Sequence, residues 1–465
     1  INQSTNQPML STSQKRFLSR LFPGEQCLLD PEPCLVFGTD ASRRFARPWA
    51  VVRPFETKQV ADLLAWAHKE RIPLVPRARA TNVVGDCVPV AGGVVVSLLA
   101  LNRIRDIDER DFVAVVEPGV ISGDLQAAVE KKGLFYPPDP ASVKISTVGG
   151  NVSTNAGGMR AVKYGVTRDY VLGLEAVLPG GETIRTGGRV HKDAVGLDLT
   201  GLLVGSEGTL AVITRITLKL LPRPRATASL LVGYASLEGC LQGAASVFRA
   251  GLLPVAMELM DSAVLDCLAG FKAVPWTPET RAALLFKLDG SPAALAADLD
   301  SLERAVREAG PCLLERGDTP DSEERLWELR RLINPASYRV RPDKLSQDVT
   351  LPRGRVGEAL LEIRRIGRDT GLPVLTFGHL GDGNIHVNVM HDATLPAEKE
   401  KAAAAMDRVM RLAIAQGGTL SGEHGVGLSK LAYLDLQLGR KERDLMRAVK
   451  QAFDPHGIMN PGKAY

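Results

Sequence analysis

Short apolar runs rich in β-branched residues alternate with helical patterns over residues 50–220 of the 465-residue chain. Residues 94–96 (Val-Val-Val) are typical of a buried strand, whereas residues 60–69 repeat apolar positions with the spacing of an amphipathic helix. Strands that alternate with helices bury their apolar faces against those helices. The pattern therefore predicts an α/β domain, including a hairpin that turns at Pro179-Gly180-Gly181.

The pattern changes after residues 221–227, where Pro222 and Pro224 alternate with arginines. Two prolines in so short a segment disfavour both a helix and a central strand, so we predict a domain boundary there. No internal repeat is visible in the sequence. Beyond the boundary, strand and helix patterns alternate and predict a ferredoxin-like α+β domain. They cover residues 230–232, 237–250, 284–288, 293–309, 313–316 and 322–333.

Composition excludes several classes of protein. The chain has 57 basic and 53 acidic residues, a net charge of +4, and no basic run interleaved with aromatic residues, which argues against nucleic-acid binding. Its longest uncharged stretch, residues 87–102, is shorter than the roughly 20 apolar residues of a membrane span. The six cysteines are too widely spaced for a CxxC metal or iron–sulfur motif. Residues 1–8 are polar, so we interpret them as an addition before a natural start at Met9 and expect a cytoplasmic protein.

The sharpest chemical signal is the segment Phe377-Gly-His-Leu-Gly-Asp-Gly-Asn-Ile-His-Val-Asn-Val. In its second half aliphatic residues alternate with His386 and Asn388, so the imidazole and the amide project from one face of a strand. The turn dipeptide Asp382-Gly383 reverses the chain and returns His379 towards His386. The two imidazoles therefore form either part of a metal site or two hydrogen-bonding side chains beside a hairpin.

A second segment, Ser421-Gly-Glu-His-Gly-Val-Gly, places the carboxylate of Glu423 beside the imidazole of His424. An isolated Glu-His pair has no chemical meaning by itself, but the chain contains only seven histidines. Two imidazoles and one carboxylate from His379, His386 and Glu423 are typical ligands of a catalytic divalent metal with an open coordination position. His424 then remains as a candidate general base.

A third constellation is rich in glycine and lies between Pro138 and Gly165, followed later by Gly205-Ser-Glu-Gly-Thr. Backbone N–H groups among small and hydroxyl residues suit a pyrophosphate and need no lysine. The alternative is a glycine-rich loop without a ligand. Neither GxGxxG nor GxxxxGK[ST] occurs, which weakens a nicotinamide or ATP interpretation.

Five motifs in one order resemble the flavin-linked D-2-hydroxyacid dehydrogenases of the vanillyl-alcohol-oxidase type fold. This group contains D-lactate dehydrogenase, the glycolate oxidase flavin subunit and D-2-hydroxyglutarate dehydrogenase. The resemblance implies an α+β chain with a two-lobed FAD-binding domain (residues 1–225), a ferredoxin-like substrate cap (226–415) and a C-terminal segment that returns to the FAD (416–465). The motifs are Thr-Val-Gly-Gly-Asn…Thr-Asn-Ala-Gly-Gly, Gly-Ser-Glu-Gly-Thr-Leu, Gly-His-Leu-Gly-Asp-Gly-Asn-Ile-His, Gly-Glu-His-Gly-Val-Gly and Asn-Pro-Gly-Lys.

The resemblance also implies site residues. His379, His386 and Glu423 would bind the metal, Asn388 would contact the substrate, and His424 would take the hydroxyl proton. It implies that Arg330 and Lys344 bind the substrate carboxylate. The nearby Arg331 and Arg341 could equally well be solvated charges on the surface. The positions implied for FAD are Arg77, Ala78, Arg79, Ala80, Thr81, Asn82, Gly85, Pro138, Asp139, Thr147, Gly149, Gly150, Asn151, Thr154, Asn155, Gly157, Gly158, Tyr164, Gly165, Glu207, Gly208, Ile213 and Asn460.

One loop departs from the family pattern, because Ala78 and Ala80 stand where glycines are usual. Alanine keeps the N–H donors but resists positive φ, which costs roughly 1 kcal/mol or more outside glycine. Either FAD affinity is reduced or the loop uses angles that alanine tolerates. The loop contains no histidine, so we expect non-covalent FAD.

The combined interpretation is an FAD enzyme that oxidises a D-2-hydroxy acid, with D-lactate and glycolate as leading candidates, to the 2-oxo acid. Zinc is the first choice of metal, with manganese or iron as alternatives. The rival hypotheses are a flavin-binding electron-transfer subunit without catalysis and an alkyl-dihydroxyacetone-phosphate-synthase-like activity, against which the His379/His386 motif argues. We expect a separate electron acceptor (an iron–sulfur subunit, an electron-transfer flavoprotein or a cytochrome), peripheral membrane attachment through that partner, and a homodimer as one candidate assembly.

Overall fold

The computed structural model describes residues 10–464, so the interpretation of residues 1–8 lies outside the described part of the chain. The strands are β1 (Cys27–Leu28), β2 (Ala50–Val52), β3 (Leu74–Arg77), β4 (Val94–Ser97), β5 (Ile104–Asp108), β6 (Val113–Val116), β7 (Leu134–Phe135), β8 (Val171–Val177), β9 (Thr183–Gly187), β10 (Val212–Lys219), β11 (Leu221–Pro222), β12 (Ala226–Tyr234), β13 (Ala256–Asp261), β14 (Ala282–Gly290), β15 (Leu313–Gly317), β16 (Asp343–Thr350), β17 (Val374–His379) and β18 (Asn384–His391).

The α-helices are α1 (Thr12–Leu21), α2 (Pro31–Cys34), α3 (Thr57–Glu70), α4 (Ser122–Glu130), α5 (Val148–Thr154), α6 (Ala161–Tyr164), α7 (Leu199–Leu203), α8 (Leu237–Arg249), α9 (Ser262–Ala269), α10 (Pro292–Arg307), α11 (Pro320–Ser337), α12 (Val356–Thr370), α13 (Pro396–Ala415), α14 (Leu434–Gln437) and α15 (Arg440–Phe453). The predicted combination of helices and sheets in an α+β chain is confirmed. Within residues 10–464, no helix combines the length and apolarity needed to cross a bilayer.

The chain forms two compact units. Among the described residues, the first contains residues 10–157, 166–223 and 423–464, and the second contains residues 158–165 and 224–422. Residues 158–165 belong to the second unit because side chains such as Met159 pack against its core. That packing partner is distant in sequence, so no local pattern indicates it.

The first unit contains a four-stranded sheet in the order β1-β2-β4-β3 and a five-stranded antiparallel sheet in the order β5-β6-β10-β8-β9. In the four-stranded sheet β2 and β3 both run parallel to β4, and every residue of β2 and β4 is buried. Burial on both faces explains why these strands are continuously apolar. The hairpin expected around residues 179–181 is present as the β8/β9 pair.

The second unit contains one seven-stranded antiparallel sheet in the order β15-β12-β14-β13-β17-β18-β16. The elements β12-α8-β13-β14-α10-β15 form a β-α-β-β-α-β unit whose strand order is that of a ferredoxin-like fold. The elements β16-α12-β17-β18-α13 repeat its first five elements, and the two halves join where β13 pairs with β17. This repeat is one of topology, which is why the sequence pattern does not display it.

Candidate active site

The β17/β18 hairpin brings His379 and His386 together in the second unit. Their ring centroids lie 5.2 Å apart in an edge-to-face arrangement, and both side chains are buried. Gly383 turns the chain with a φ of 87°, and a Cβ at that position would overlap the carbonyl oxygen of Leu351. The turn therefore requires glycine, and its geometry makes the two imidazoles neighbours.

Glu258, which the sequence analysis missed, lies on β13 beside this histidine pair. Its carboxylate is 0% exposed, with Oε1 2.6 Å from His379 Nδ1 and Oε2 2.6 Å from Arg330 Nε. Burial raises the pKa of Glu258, but His379 and Arg330 outweigh burial and lower the pKa to about 2. Glu258 is therefore an ionised acceptor, and the histidine and the arginine are its donors. A glutamate within the apolar run Ala-Met-Glu-Leu-Met is the only local signal for this residue.

The substrate residues implied for the second unit occupy different environments. Arg330 stacks over the Phe377 ring at 5.0 Å, and within the described chain its two terminal nitrogens form no hydrogen bond. Asn388 is 1% exposed, and neither atom of its side-chain amide has a hydrogen-bond partner among the described residues. The Lys344 ammonium contacts the side-chain oxygen of Asn334 and lies 5.0 Å over the Tyr338 ring. A buried amide without a partner costs about 1–3 kcal/mol, so the side chain of Asn388 is suited to hydrogen-bond a polar ligand.

The second unit ends at Gly422, directly before Glu423. The Gly422 backbone N–H donates to the carboxylate of Asp348 at 2.8 Å, and Asp348 is fully buried. A Cβ at Gly422 would overlap the hydroxyl oxygen of Thr350. The chain that leads into Glu423 is therefore tightly fixed to β16.

In the first unit, Glu423 and His424 are the first residues of a loop whose backbone is hydrogen-bonded to the side chain of Glu207. His424 Nε2 lies 3.7 Å from Glu423 Oε1. The Glu207 carboxylate accepts hydrogen bonds from the Val426 and Gly427 N–H groups at 2.7 and 2.8 Å. Glu207 is implied as an FAD position, and its carboxylate also orders the loop that carries the candidate base.

The glycine-rich segments of the first unit lie against each other. Thr147 caps α5 by accepting a hydrogen bond from the Gly150 N–H at 3.2 Å. A Cβ at Gly150 would approach the Cβ of Ala78 to 3.2 Å, so the two segments leave room for small side chains only. Ala80 has a φ of 55°, whereas Ala78 is not among the residues with positive φ. At position 80, therefore, an alanine adopts the left-handed conformation that glycine favours, and at position 78 it does not.

Several side chains implied for FAD bind other parts of the protein. Arg77 donates to the Thr39 carbonyl at 2.7 Å, and Asn151 donates to the Ser122 hydroxyl at 2.8 Å. Tyr164 donates to Asp289 at 2.6 Å, within the second unit. These side chains order the segments and leave backbone N–H groups as the donors that suit a pyrophosphate.

The remaining implied FAD positions divide between the two units. Arg79 lines a cleft of about 390 Å³ together with Asn102 and Asp124. The implied positions in the second unit are Gly158, Tyr164 and Gly165, and those in the first include Thr81, Asn82, Gly85, Pro138, Asp139, Gly149, Thr154, Asn155, Gly157, Gly208, Ile213 and Asn460.

Two family models match the chain. Residues 48–187 match the FAD binding domain, and residues 223–464 match the C-terminal domain of FAD linked oxidases. Among solved structures, p-cresol methylhydroxylase has a TM-score of 0.81 at 18% identity and covers 97% of this chain and 96% of its own. Alkyldihydroxyacetonephosphate synthase has a TM-score of 0.77 at 18% identity and covers 99% and 86%. These structures confirm the vanillyl-alcohol-oxidase type fold and, at this identity, nothing further.

Sequence relatives are closer. The glycolate oxidase subunit GlcD of Bacillus subtilis is 39% identical over 93% of this chain and 92% of its own. The D-lactate dehydrogenase of Anaerostipes hadrus is 38% identical over 90% of both chains. The D-2-hydroxyglutarate dehydrogenase of Stutzerimonas stutzeri is 33% identical over 95% and 96%. The chain therefore belongs to the family of FAD-linked oxidoreductases that includes these three enzymes.

Proposed function

We propose that this protein uses non-covalent FAD to oxidise a D-2-hydroxy acid to the corresponding 2-oxo acid. D-Lactate and glycolate are the leading substrates, in line with the names of the relatives. The observation that carries the proposal is the polar group formed by His379, Glu258 and Arg330. Asn388, on the same strand as His386, adds a buried side-chain amide without a hydrogen-bond partner among the described residues. Paired imidazoles beside an arginine fork suit a metal-assisted reaction of a carboxylate substrate.

We assign the metal to His379, His386 and Glu423, with zinc as the first choice. Two neutral imidazoles and one carboxylate form a common ligand set for a catalytic divalent metal. Support comes from the 5.2 Å separation of the two rings and from the fixed chain before Glu423. In the neutral form of the ring, the hydrogen bond from His379 Nδ1 to Glu258 also leaves Nε2 unprotonated, as a metal ligand requires.

The protein residues bind the substrate and move its proton. The guanidinium of Arg330 suits bidentate binding of the carboxylate, and Lys344 supplies a second positive charge. Asn388 offers an amide donor and acceptor to the bound acid, and His424 takes the hydroxyl proton. When bound, FAD would accept the α-hydrogen together with its two bonding electrons, as a hydride, and the metal ion would act as a Lewis acid that acidifies the hydroxyl group.

An anaerobic screen tests the function. The FAD-loaded protein is mixed with D-lactate, L-lactate, glycolate, D-malate and D-2-hydroxyglutarate, and the loss of flavin absorbance near 450 nm is followed. We expect at least one D-acid or glycolate to bleach the flavin faster than L-lactate. A yellow protein that no acid bleaches would instead support a flavin-binding subunit without catalysis.

We also propose that electrons leave through a separate acceptor, because one relative is named as a subunit of glycolate oxidase. An iron–sulfur subunit, an electron-transfer flavoprotein or a cytochrome would serve, and such a partner would hold a cytoplasmic enzyme at the membrane. Stopped-flow reoxidation of the reduced flavin tests this. Reoxidation by air at the steady-state turnover rate, with stoichiometric peroxide, would identify a self-sufficient oxidase instead.

A further inference from the structure

We infer that Glu258 is a positioning residue that orients His379 as a metal ligand and Arg330 as a carboxylate-binding group at the same time. The inference rests on the proposed function, since it assigns a role to a residue beside the proposed metal and substrate groups. Nothing in the motifs of the chain points to this glutamate.

The position of Glu258 in the sheet explains how it reaches both partners. β13 and β17 are the two strands at which the halves of the seven-stranded sheet join, and Glu258 is paired with His379 in their register. Arg330 reaches the same carboxylate from helix α11. The two partners are 121 and 72 residues away in sequence, so only the folded sheet brings them together.

Each carboxylate oxygen of Glu258 serves one partner. An ionised carboxylate only accepts hydrogen bonds, so its 2.6 Å contact with His379 Nδ1 places the proton on that nitrogen. In the neutral imidazole the other nitrogen, Nε2, then carries the lone pair that a metal ion needs. The carboxylate thus selects one tautomer and fixes the angle of the ring.

The second oxygen fixes Arg330. Its Nε donates to Glu258 at 2.6 Å while the guanidinium carbon lies 5.0 Å over the Phe377 ring. With one edge and one face of the guanidinium occupied, the two terminal nitrogens are left to form a bidentate pair with a carboxylate. One buried glutamate therefore sets the geometry of both groups.

The burial of Glu258 also argues for a specific role. Removing a carboxylate from water costs several kcal/mol unless good geometry compensates, and an apolar side chain would often serve stability as well. The side chain of Arg330 is 13% exposed, whereas the glutamate is fully buried, so only the arginine retains limited access to solvent. The charge of Glu258 therefore serves to orient His379 and Arg330, and stability alone does not explain it.

The experiment compares the wild type with Glu258→Gln, which keeps the size but cannot accept from both partners, and Glu258→Asp, which keeps the charge. Glu323→Gln is the matched control, because Glu323 is a second bridging glutamate of the same unit that accepts from Thr227 and Ser229. The first readout is the tautomer of His379 from ¹⁵N-histidine NMR of metal-free protein, assigned with His379→Gln. The second is the affinity for Zn²⁺, from competition with a chromophoric chelator.

In the wild type, at a pH where His379 is neutral, we expect a protonated Nδ1 and an unprotonated Nε2 on this ring. Glu258→Gln should lose this single tautomer and bind Zn²⁺ about 10- to 100-fold more weakly. Glu258→Asp should recover part of the affinity, and Glu323→Gln should match the wild type. The KM for the substrate should rise more in Glu258→Gln than in the control, since Arg330 loses its orientation.

Two results would overturn the inference. One is a wild type in which the neutral ring of His379 carries its proton on Nε2, a measurement that does not depend on the folding of any variant. The other is a Glu258→Gln protein whose His379 tautomer and Zn²⁺ affinity equal those of the wild type. A wild type that binds no Zn²⁺ at all would instead refute the proposed metal site, while the tautomer would still decide the role of Glu258.

Discussion

The backbone N–H of Gly422 donates a 2.8 Å hydrogen bond to the buried carboxylate of Asp348. The hydroxyl of Ser421 lies 3.4 Å from both oxygens of the same carboxylate. Because Glu423 is the next residue of the chain, this contact fixes the point from which the proposed third metal ligand projects. The contact joins only strand β16 and the segment at Ser421 and Gly422 that lies beside it.

Asp348→Ala should therefore weaken metal binding without removing any ligand. The variant leaves the Gly422 N–H without its acceptor, which should lower the free energy of unfolding by about 1–3 kcal/mol. Zn²⁺ affinity should fall, whereas Ser421→Ala, which removes only the longer contact, should change it little. Denaturant unfolding and chelator competition give the two quantities, and an unchanged Zn²⁺ affinity in Asp348→Ala would contradict the prediction.

Dialysis against a chelator should abolish turnover and leave the flavin bound, because the proposed metal ligands are not among the implied FAD positions. His386→Ala should have the same effect as the chelator. His391→Ala is the matched control, since His391 is buried on the same strand, β18, but outside the proposed ligand set. Metal content and flavin absorbance are measured together, and full activity in metal-free protein would refute the assignment.

His424→Ala should slow reduction of the flavin by roughly 10²- to 10⁴-fold, the usual contribution of a general base. Metal content should stay at the wild-type level, because the variant leaves the three proposed ligands intact. Stopped-flow absorbance under anaerobic conditions gives the rate of reduction. A variant that reduces its flavin at the wild-type rate would show that another group takes the proton.

How much the sequence could predict depends on the distance between interacting residues. The β17/β18 hairpin follows from local alternation and from Asp382-Gly383, and the structure places His379 and His386 side by side. Glu258 could not be predicted, because its two partners come from distant elements. Strand β13 was also missed, since its short apolar run is interrupted by Glu258 and α9 begins directly after it, at Ser262.

Ala80→Gly should stabilise the loop after β3. Ala80 has a φ of 55°, which costs an alanine about 1–2 kcal/mol, although glycine loses part of this gain through its more flexible unfolded chain. We expect a net gain of roughly 0.5–1 kcal/mol in the free energy of unfolding and tighter binding of FAD. Ala78→Gly is the control, because Ala78 is not among the residues with positive φ and should gain nothing. Equal effects of the two substitutions would contradict this explanation.

Asp86→Asn should change the dependence of stability on pH. Burial, followed by the nearby carboxylates of Glu207 and Asp40, raises the pKa of Asp86 from 3.8 to about 7, while Lys463 opposes the shift. Between these two pH values the folded protein binds more protons at Asp86 than the unfolded chain does. The free energy of unfolding should therefore fall as the pH rises from about 4 to about 7, and the full loss should persist above pH 7.

The asparagine variant lacks this charge. Above pH 7 its free energy of unfolding should exceed that of the wild type by roughly 1–3 kcal/mol, and the two values should converge below about pH 3, where Asp86 is protonated in both states. Asp298→Asn, which removes an exposed aspartate from α10, serves as the control. Denaturant unfolding at several pH values measures the difference. If the Asp86→Asn curve instead ran parallel to that of the wild type from pH 4 to pH 8, Asp86 would not be the group that links stability to pH.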